Sequence, residues 1–263
     1  MKRCLITGSA AGIGRALVQR YQHEGYDVTG IDITPLTVAL PESSSDSNGP
    51  DVELRIQADL TDPGEVTRVL EELCSHSERT PFDVMIHNAG INCVGPFTAS
   101  RWEHQRKLVA LNLTTPMLLS AGLLRHNLIQ STATLVFISS LSHFVSYPGA
   151  AAYAASKDGL ASYAASLCAF LQPHGGHVLT VYPGPTRTEH ARKHSPDNSR
   201  EHKRMHPDEL AHRIHVAATK RRRVLIPGVK NHAFAAFGHF MPRMSEKAMK
   251  KALFDKVQTL EQG

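Results

Sequence analysis

Cysteine is scarce in this sequence, and the four residues present, Cys4, Cys74, Cys93 and Cys168, form no CxxC pair. Their spacing indicates neither a zinc knuckle nor a disulfide framework, so we expect reduced, mostly buried thiols. Sixteen histidines occur without an HExxH motif or a paired carboxylate pattern, and we therefore expect no metal site.

Long apolar runs are also missing. No stretch reaches the roughly 18 uninterrupted apolar residues that a membrane span needs. Residues 2–7 read directly as an apolar strand, without the apolar run and small-residue cleavage site of a signal peptide. These absences favour a cytoplasmic location.

Acidic residues are few near the C-terminus. Residues 220–256 hold ten Lys or Arg and two Asp or Glu, a local charge of +8 in a chain of net charge +5. Apolar residues at 234, 237, 241, 244 and 248 have near-helical spacing. A basic amphipathic helix of this kind could lie on a membrane surface or cover a hydrophobic substrate, but packing on its own domain or on a second subunit is the simpler interpretation. No nucleic-acid partner is expected.

Apolar runs alternate with amphipathic stretches along the chain. Strands are predicted at residues 2–7, 27–31, 52–57, 82–87, 134–138, 177–182 and 223–226, and helices at 12–24, 63–76, 102–127, 151–171 and 207–220. This alternation predicts an α/β fold with one doubly wound sheet of about seven parallel strands and helices on both faces. We expect it to span residues 1–228, with a basic amphipathic extension at 229–263. Two polar segments interrupt the pattern: a loop at 33–50 and a histidine-rich segment at 185–206, which could form a flap.

A glycine-rich loop lies between the first strand and the first helix. Gly8, Gly12 and Gly14 allow a tight turn that lets backbone N–H groups approach a pyrophosphate, although a glycine-rich turn without a ligand is the alternative. Asp32 ends the second strand, where a carboxylate accepts hydrogen bonds from ribose and repels a 2′-phosphate. The sequence therefore favours NAD over NADP. Arg15 lies close enough in sequence that NADP is not excluded.

Tyr153 and Lys157 are four residues apart at the start of a helical pattern, so their side chains share one face. A neighbouring ammonium favours the phenolate and would lower the pKa of Tyr153 towards the neutral range. The same spacing is common in surface pairs on helices, and the pair alone does not decide between the two interpretations.

The GxxxGxG loop and the YxxxK pair resemble the short-chain dehydrogenase/reductase family over residues 2 to about 228. The resemblance implies a Rossmann-type domain and further cofactor contacts, so that the expected cofactor-binding set is Gly8, Ser9, Gly12, Ile13, Gly14, Asp32, Asp59, Leu60, Asn88, Ala89, Gly90, Tyr153, Lys157, Pro183, Gly184, Thr186 and Thr188. His87 departs from the family pattern, because it stands where the NNAG element has its first Asn. That departure is expected to weaken the support of the fourth strand slightly.

The resemblance also implies the catalytic set Ser140, Tyr153, Lys157 and Asn112. Ser140, 13 residues before Tyr153, would polarise the substrate C–O group, and the neighbouring Ser139 is the alternative candidate for this role. Tyr153 would act as the acid/base, Lys157 would tune it, and Asn112 would hold a water that links Lys157 to solvent.

The expected activity is an NAD(H)-dependent oxidoreductase that interconverts a secondary alcohol and a ketone. Reduction of acyl or lipid-like ketones, sugar or polyol oxidation, and a non-catalytic dinucleotide-binding redox sensor are the alternatives. His143, Val94 and Phe144, with Tyr147 and Phe97, would line an at least partly apolar substrate site. The resemblance implies a homodimer or homotetramer formed through residues 102–127 and 151–171.

Overall fold

The computed structural model describes residues 1–34, 54–76, 80–145, 147–195 and 198–251. Most of the predicted 33–50 loop, the start of the predicted third strand and the end of the C-terminal tail lie outside the described residues. Within these ranges, seven parallel strands form one sheet in the order β3-β2-β1-β4-β5-β6-β7. The predicted doubly wound α/β architecture is confirmed.

The strands are β1 (Lys2–Thr7), β2 (Tyr26–Asp32), β3 (Leu54–Gln57), β4 (Phe82–His87), β5 (Ile129–Ile138), β6 (His177–Val181) and β7 (Val224–Leu225). Their bounds match the predicted ones closely, except that β5 begins five residues earlier than position 134. The early part pairs Phe82 with Ile129, and the register then shifts before Val84 pairs with Thr134. Residues 130–132 are polar and partly exposed, which is why no apolar run marked them as strand.

The helices are α1 (Gly12–His23), α2 (Pro63–Ser75), α3 (Trp102–Val109), α4 (Thr115–Arg125), α5 (Ala151–Leu171), α6 (Glu189–Lys193), α7 (Pro207–Thr219), α8 (Val229–Phe240) and α9 (Pro242–Met249). A wide π-helical turn, Ala110–Thr114, joins α3 to α4, so the predicted helix at 102–127 is interrupted there. α6 lies inside the histidine-rich segment. α8 and α9 occupy the predicted extension, whose separation from the rest of the chain at residue 228 stays a prediction.

Successive strand residues point to opposite faces of the sheet and belong to two hydrophobic cores, one on each face. Leu5, Met85 and Phe137 pack with residues of α2, α4 and α5. Ile6 and Val136 face the other way and pack with residues of α1 and α7. Because both faces are covered, the strands are apolar on both sides.

The stretch Trp102–Arg125 is 24 residues long and contains an 18-residue window with a mean hydropathy of 1.4, enough by length and composition to cross a membrane. It is the one such stretch in the ranges that the structure covers. Leu119 and Leu123 of this stretch belong to the hydrophobic core that α2, α4 and α5 form with one face of the sheet, and α4 packs against α2. Burial within the protein accounts for the apolar residues on the core-facing side of α4.

Parallel strands place their carboxyl ends at one edge of the sheet, where ligands of such folds bind. Here β1, β4, β5 and β6 end at or next to Thr7, His87, Ile138 and Val181. The loops that follow these four strands form the candidate site.

Candidate active site

The glycine loop between β1 and α1 is built so that other residues do not fit. Gly8 and Gly12 have positive φ angles of 68° and 54°, which L side chains rarely adopt. A Cβ atom at Gly14 would overlap the carbonyl oxygen of Gly8. Ala11 caps α1 without a side-chain hydrogen bond, so the first N–H groups of the helix remain available for an anion. Ser9 and Ile13 lie in this loop and on the first turn of α1, as predicted.

Asp32 is held at the end of β2 beside the glycine loop. One carboxylate oxygen accepts a hydrogen bond from the backbone N–H of Ala10 at 2.9 Å, and the other accepts one from Thr34, also at 2.9 Å. A carboxylate has about four acceptor positions, so two remain for a ligand. The negative charge therefore stands next to the loop in a fixed orientation.

Thr7 and Asn88 join the loops that follow β1 and β4. The Thr7 hydroxyl accepts hydrogen bonds from the N–H groups of Asn88 and Ala89 at 3.1 Å. The Asn88 amide donates to the carbonyl oxygens of Thr7 and Gly8 at 3.0 Å. Both loops are thereby fixed relative to each other.

The segment after β3 is a short side-chain-stabilised turn. Asp59 accepts from the N–H of Thr61 at 3.0 Å and from its hydroxyl at 2.8 Å. The side chain of Leu60 points into the core and is only 4% exposed. Any contact of Leu60 with a cofactor would therefore involve its backbone.

His87 ends β4 in the position where the family pattern has Asn. Its ring stacks on Phe137 at 4.7 Å between centroids, and Nε2 lies 2.9 Å from the Ser120 hydroxyl of α4. Complete burial lowers the pKa of His87 to about 3, so the ring is neutral. The other ring nitrogen, Nδ1, is buried without a hydrogen-bond partner among the described residues. His87 thus ties β4 to α4 and β5, and the expected weakening of this strand remains untested.

Lys157 lies on the buried face of α5. Its ammonium donates a hydrogen bond to the carbonyl oxygen of Ile138 at 2.8 Å, and the residue is 5% exposed. Burial lowers the pKa of Lys157 to about 8. Ser139, the alternative to Ser140 as the residue that polarises the substrate, has a buried hydroxyl that donates to the carbonyl of Lys157. This hydroxyl is therefore not available to a substrate.

Tyr153 lies one turn before Lys157, and its pKa differs from the expectation. Burial raises the pKa of Tyr153 to about 12, and only a hydrogen bond with the Ser140 side chain lowers it. The Lys157 ammonium stands 5.9 Å from the centroid of the Tyr153 ring and is engaged by Ile138. Desolvation of the phenol therefore outweighs the nearby cation. The expected juxtaposition of Ser140, Tyr153 and Lys157 is present, whereas the expected lowering of the pKa is not.

Asn112 occupies the π-helical turn between α3 and α4, a type of turn often found at functional sites. Its amide pairs with both backbone groups of Ile91 at 2.9 Å and donates to the Ser156 hydroxyl at 3.1 Å. A Cβ at Gly90 would lie 3.0 Å from Asn112 Oδ1 and 3.3 Å from Lys157 Nζ. The bare Gly90 therefore leaves space beside these two polar groups.

The segment after β6 covers the glycine loop. The carbonyl of Pro183 accepts from the N–H of Leu141, and the Thr186 hydroxyl donates to the carbonyl of Gly184 at 3.2 Å. Thr188 caps α6 by accepting from Ala191, and its methyl would lie 3.2 Å from a Cβ at Gly12. The structure thus brings the start of the histidine-rich segment onto the glycine loop, while its role as a flap stays a prediction.

The residues predicted for the substrate side fall into two groups. His143 lies 3.0 Å from the Asp158 carboxylate and packs against Phe144 and Tyr182. With Phe144 it lines a cavity of about 210 Å³ that α8 and α9 also border. Val94 is half-buried in the loop after β4. Their contact with substrate stays a prediction.

Tyr147 lies closer to the candidate catalytic group. Its ring meets the Tyr153 ring edge-on with 6.2 Å between centroids, and its side chain is hydrogen-bonded to Asn92. Sequence reasoning missed Asn92, although it follows the Asn88-Ala89-Gly90 element by two residues. No group of three His, Cys, Asp or Glu side chains that could hold a metal occurs among the residues described.

A family model described as short chain dehydrogenase matches residues 2–199. The chain is 27% identical over 187 residues to 2-(R)-hydroxypropyl-CoM dehydrogenase of Xanthobacter autotrophicus, covering 70% of this chain and 74% of that protein. It is 28% identical over 196 residues to 3-oxoacyl-(acyl-carrier-protein) reductase of Escherichia coli, covering 74% and 78%.

Two solved structures have the same fold. A short-chain dehydrogenase from Sphingobium yanoikuyae in complex with NADPH matches with a TM-score of 0.72 and 26% identity, covering 93% of this chain and 96% of that one. A 4-hydroxyisoleucine dehydrogenase complexed with NADH matches with a TM-score of 0.73 over 86% and 96%, and at 21% identity this match concerns the fold alone.

Proposed function

Since the chain belongs to the short-chain dehydrogenase family, an oxidoreductase family that acts on CH–OH groups with NAD(P), we propose that it interconverts a secondary alcohol and a ketone with NAD(H), using Tyr153 as the acid/base. One observation carries the proposal. Ser140, Tyr153, Lys157 and Asn112 meet at the carboxyl edge of the sheet, beside the glycine loop.

The residues at this edge fit a dinucleotide. Gly14 can only be glycine, the first turn of α1 offers free N–H groups, and Gly90 leaves room before Lys157. The loop backbone would hold the pyrophosphate, Asp32 the adenosine ribose, the Asp59–Leu60 turn the adenine, and Lys157 and the Pro183–Thr188 segment the nicotinamide half. The bound cofactor supplies or accepts the hydride.

The roles of the protein groups follow from their protonation. A phenol with a pKa of about 12 keeps its proton at neutral pH, so Tyr153 is ready to donate a proton to a ketone oxygen in the reductive direction. Ser140 shares a hydrogen bond with that phenol and would donate to the same oxygen as negative charge develops on it. Lys157, with a pKa of about 8, is mostly an ammonium at pH 7, and its positive charge would stabilise the phenolate that Tyr153 becomes after it donates its proton.

Replacement of Tyr153 by phenylalanine tests this assignment. The Tyr153→Phe variant should lose at least about 100-fold in turnover, within the range for removal of a general acid, while its affinity for NADH stays within a few-fold of wild type. Tyr163→Phe, on the same helix and hydrogen-bonded to Ser120, is the matched control. Unchanged turnover in Tyr153→Phe would contradict the proposed role.

The preference for NAD over NADP is the finer part of the proposal. Asp32 supports it because its charge is fixed beside the loop. The two similar structures were solved with NADPH and with NADH, so the fold accepts either cofactor. Fluorescence titration should give tighter binding of NADH than of NADPH, and Asp32→Ala should narrow the difference, whereas Glu71→Gln on α2 should not. Tighter NADPH binding by the wild type would overturn the preference.

Reduction of acyl or lipid-like ketones is the second candidate, supported by the similarity to a 3-oxoacyl reductase. Turnover of a 3-oxoacyl thioester well above that of small ketones and keto-sugars would favour it. A redox sensor without turnover remains the non-enzymatic alternative, and the complete Ser140, Tyr153, Lys157 and Asn112 set speaks against it. Turnover on any substrate of the panel would exclude it.

A homodimer or homotetramer also belongs to the proposal. Met117 and Leu118 on α4 and Phe170 on α5 are 39%, 42% and 61% exposed, which supports an interface on these helices. Light scattering should give at least twice the monomer mass for wild type and a smaller mass for Leu118→Glu. A cytoplasmic location is also proposed, supported by free thiols at all four cysteines.

A further inference from the structure

The outer face of α8 is a continuous apolar stripe. Val229, Ala233, Ala236 and Phe240 follow one another at spacings of four, three and four residues, so they share one side of the helix. All four are exposed, Val229 by 87% and Phe240 by 79%. An apolar stripe that faces away from the core is the reverse of the usual arrangement for a surface helix.

The opposite side of α8 fixes this orientation. Ala235 is 4% exposed, and Gly238 lies so close to the backbone of Phe144 that a Cβ there would overlap its carbonyl oxygen. Asn231 donates to the carbonyl of Pro227 and lies against Gly184. The helix is therefore seated directly on the loops after β5 and β6, and rotation of the stripe towards the core would break these contacts.

α9 and the two residues that follow it present a cationic stripe. Arg243, Lys247 and Lys250 repeat at spacings of four and three residues, and Lys251 adjoins them; all four are exposed. Ser245, on the other side of α9, is 2% exposed. The two helices pack against each other, and the exposed Met241 and Met244 lie at and just after their junction. Two helices in contact thus carry exposed apolar residues on one and exposed positive charges on the other.

We propose that this α8–α9 surface docks on an anionic lipid bilayer. Apolar side chains beside a row of lysines and arginines match a boundary where acyl chains lie below negatively charged headgroups. Charge decides between this occupant and a second copy of the chain. The described part of this segment, residues 229–251, has five exposed Lys or Arg residues and one exposed carboxylate, Glu246. A second copy would offer the same excess of positive charge, whereas anionic headgroups would neutralise it.

Docking in this orientation has a structural consequence. α8 sits on the loops that follow β5 and β6, and these loops also contribute to the candidate active site. The bilayer would therefore lie beside that edge of the sheet. The docking argument itself does not depend on the proposed hydride transfer, so its test needs no substrate.

The test is sedimentation of the full chain with vesicles of phosphatidylcholine, with and without phosphatidylglycerol, at low and high salt. The wild type should bind the anionic vesicles and bind them less at high salt. Phe240→Ser and Val229→Ser should each weaken binding about tenfold, because each removes a large apolar contact. The double variant Lys247→Gln/Lys250→Gln should weaken binding about thirtyfold at low salt and reduce its salt dependence.

Matched controls come from other surfaces. Phe97→Ser removes a phenylalanine that is 76% exposed on a different loop, and Lys107→Gln neutralises an exposed lysine on α3; neither should change vesicle binding. Circular dichroism and thermal unfolding verify that each variant is folded. The proposal is overturned if the wild type ignores anionic vesicles, if the Phe240 and Val229 variants bind them as well as wild type, or if Phe240→Ser instead dissociates an oligomer.

Discussion

Replacing His87 by asparagine should make the protein less sensitive to mild acid. The imidazole is buried against Phe137 and Ser120, and its pKa is about 3 in the folded chain, compared with about 6.5 for an unperturbed histidine. The unfolded chain therefore takes up a proton at this position before the folded chain does. A folded pKa below the unfolded one means that stability is lost as pH falls from about 6.5 towards 3.

The size of the effect follows from the width of that window. Each pH unit within it is worth about 1.4 kcal/mol, so the histidine should cost the folded state about 2 kcal/mol between pH 7 and pH 5. Asparagine does not titrate there and keeps a polar group for Ser120. Its smaller volume is expected to lower the free energy of unfolding at both pH values, so the comparison is made between the two pH values for each protein.

Urea unfolding at pH 7 and pH 5, at constant ionic strength, measures this difference. Wild type should lose about 2 kcal/mol more than His87→Asn between the two conditions. His104→Asn, an equivalent replacement at an exposed position on α3, should behave as wild type. Equal losses for wild type and His87→Asn would refute the assignment of a buried, neutral imidazole.

Three further perturbations test the candidate site. Gly14→Ala should weaken NADH binding more than tenfold in a fluorescence titration, because the new Cβ would overlap a carbonyl of the same loop. Asn112→Ala should lower the free energy of unfolding by about 2–4 kcal/mol in urea, since it strips both backbone groups of Ile91 of their hydrogen bonds. Lys157→Met should abolish turnover yet stabilise the fold at pH 7. The pKa of Lys157 is about 8 in the folded chain against 10.5 for an ordinary lysine, so its charge destabilises the folded wild type by about 3 kcal/mol. The variant loses the hydrogen bond to the carbonyl of Ile138, which offsets about 1 kcal/mol of the gain. Stability of the wild type rises between pH 8 and 10.5, so the free energies of unfolding of the two proteins, measured in urea, should approach each other over this range.

The sequence predicted the parts of the fold that local pattern controls. Apolar runs marked the strands at residues 2–7 and 82–87 to the residue, because both faces of a parallel strand are buried. The start of β5 was predicted late, since Ile129 is followed by three polar residues and its pairing with Phe82 is separated from the rest of the ladder by a register shift. The π-helical turn around Asn112 has no sequence signal of its own and depends on the amide's bonds to Ile91.

The candidate site shows the same division between local and tertiary information. Spacing was enough to bring Tyr153 and Lys157 onto one helical face. The contacts of Asn92 with Tyr147 and of Asn231 with Gly184 join residues more than forty positions apart, and no local pattern marks them.

The pKa of Tyr153 illustrates most clearly what spacing leaves out. A cation four residues away lowers the pKa of a phenol only if the cation faces the phenol oxygen and the site is not strongly desolvated. In the structure the ammonium of Lys157 is directed to the carbonyl of Ile138 and lies 5.9 Å from the centroid of the Tyr153 ring. Burial raises the pKa of Tyr153 and lowers that of Lys157. The phenol holds its proton more tightly and the ammonium holds its own less tightly. In the proposed function, a pair with these two shifts would donate a proton from Tyr153 when negative charge develops on a substrate oxygen beside Ser140, the condition that ketone reduction would supply.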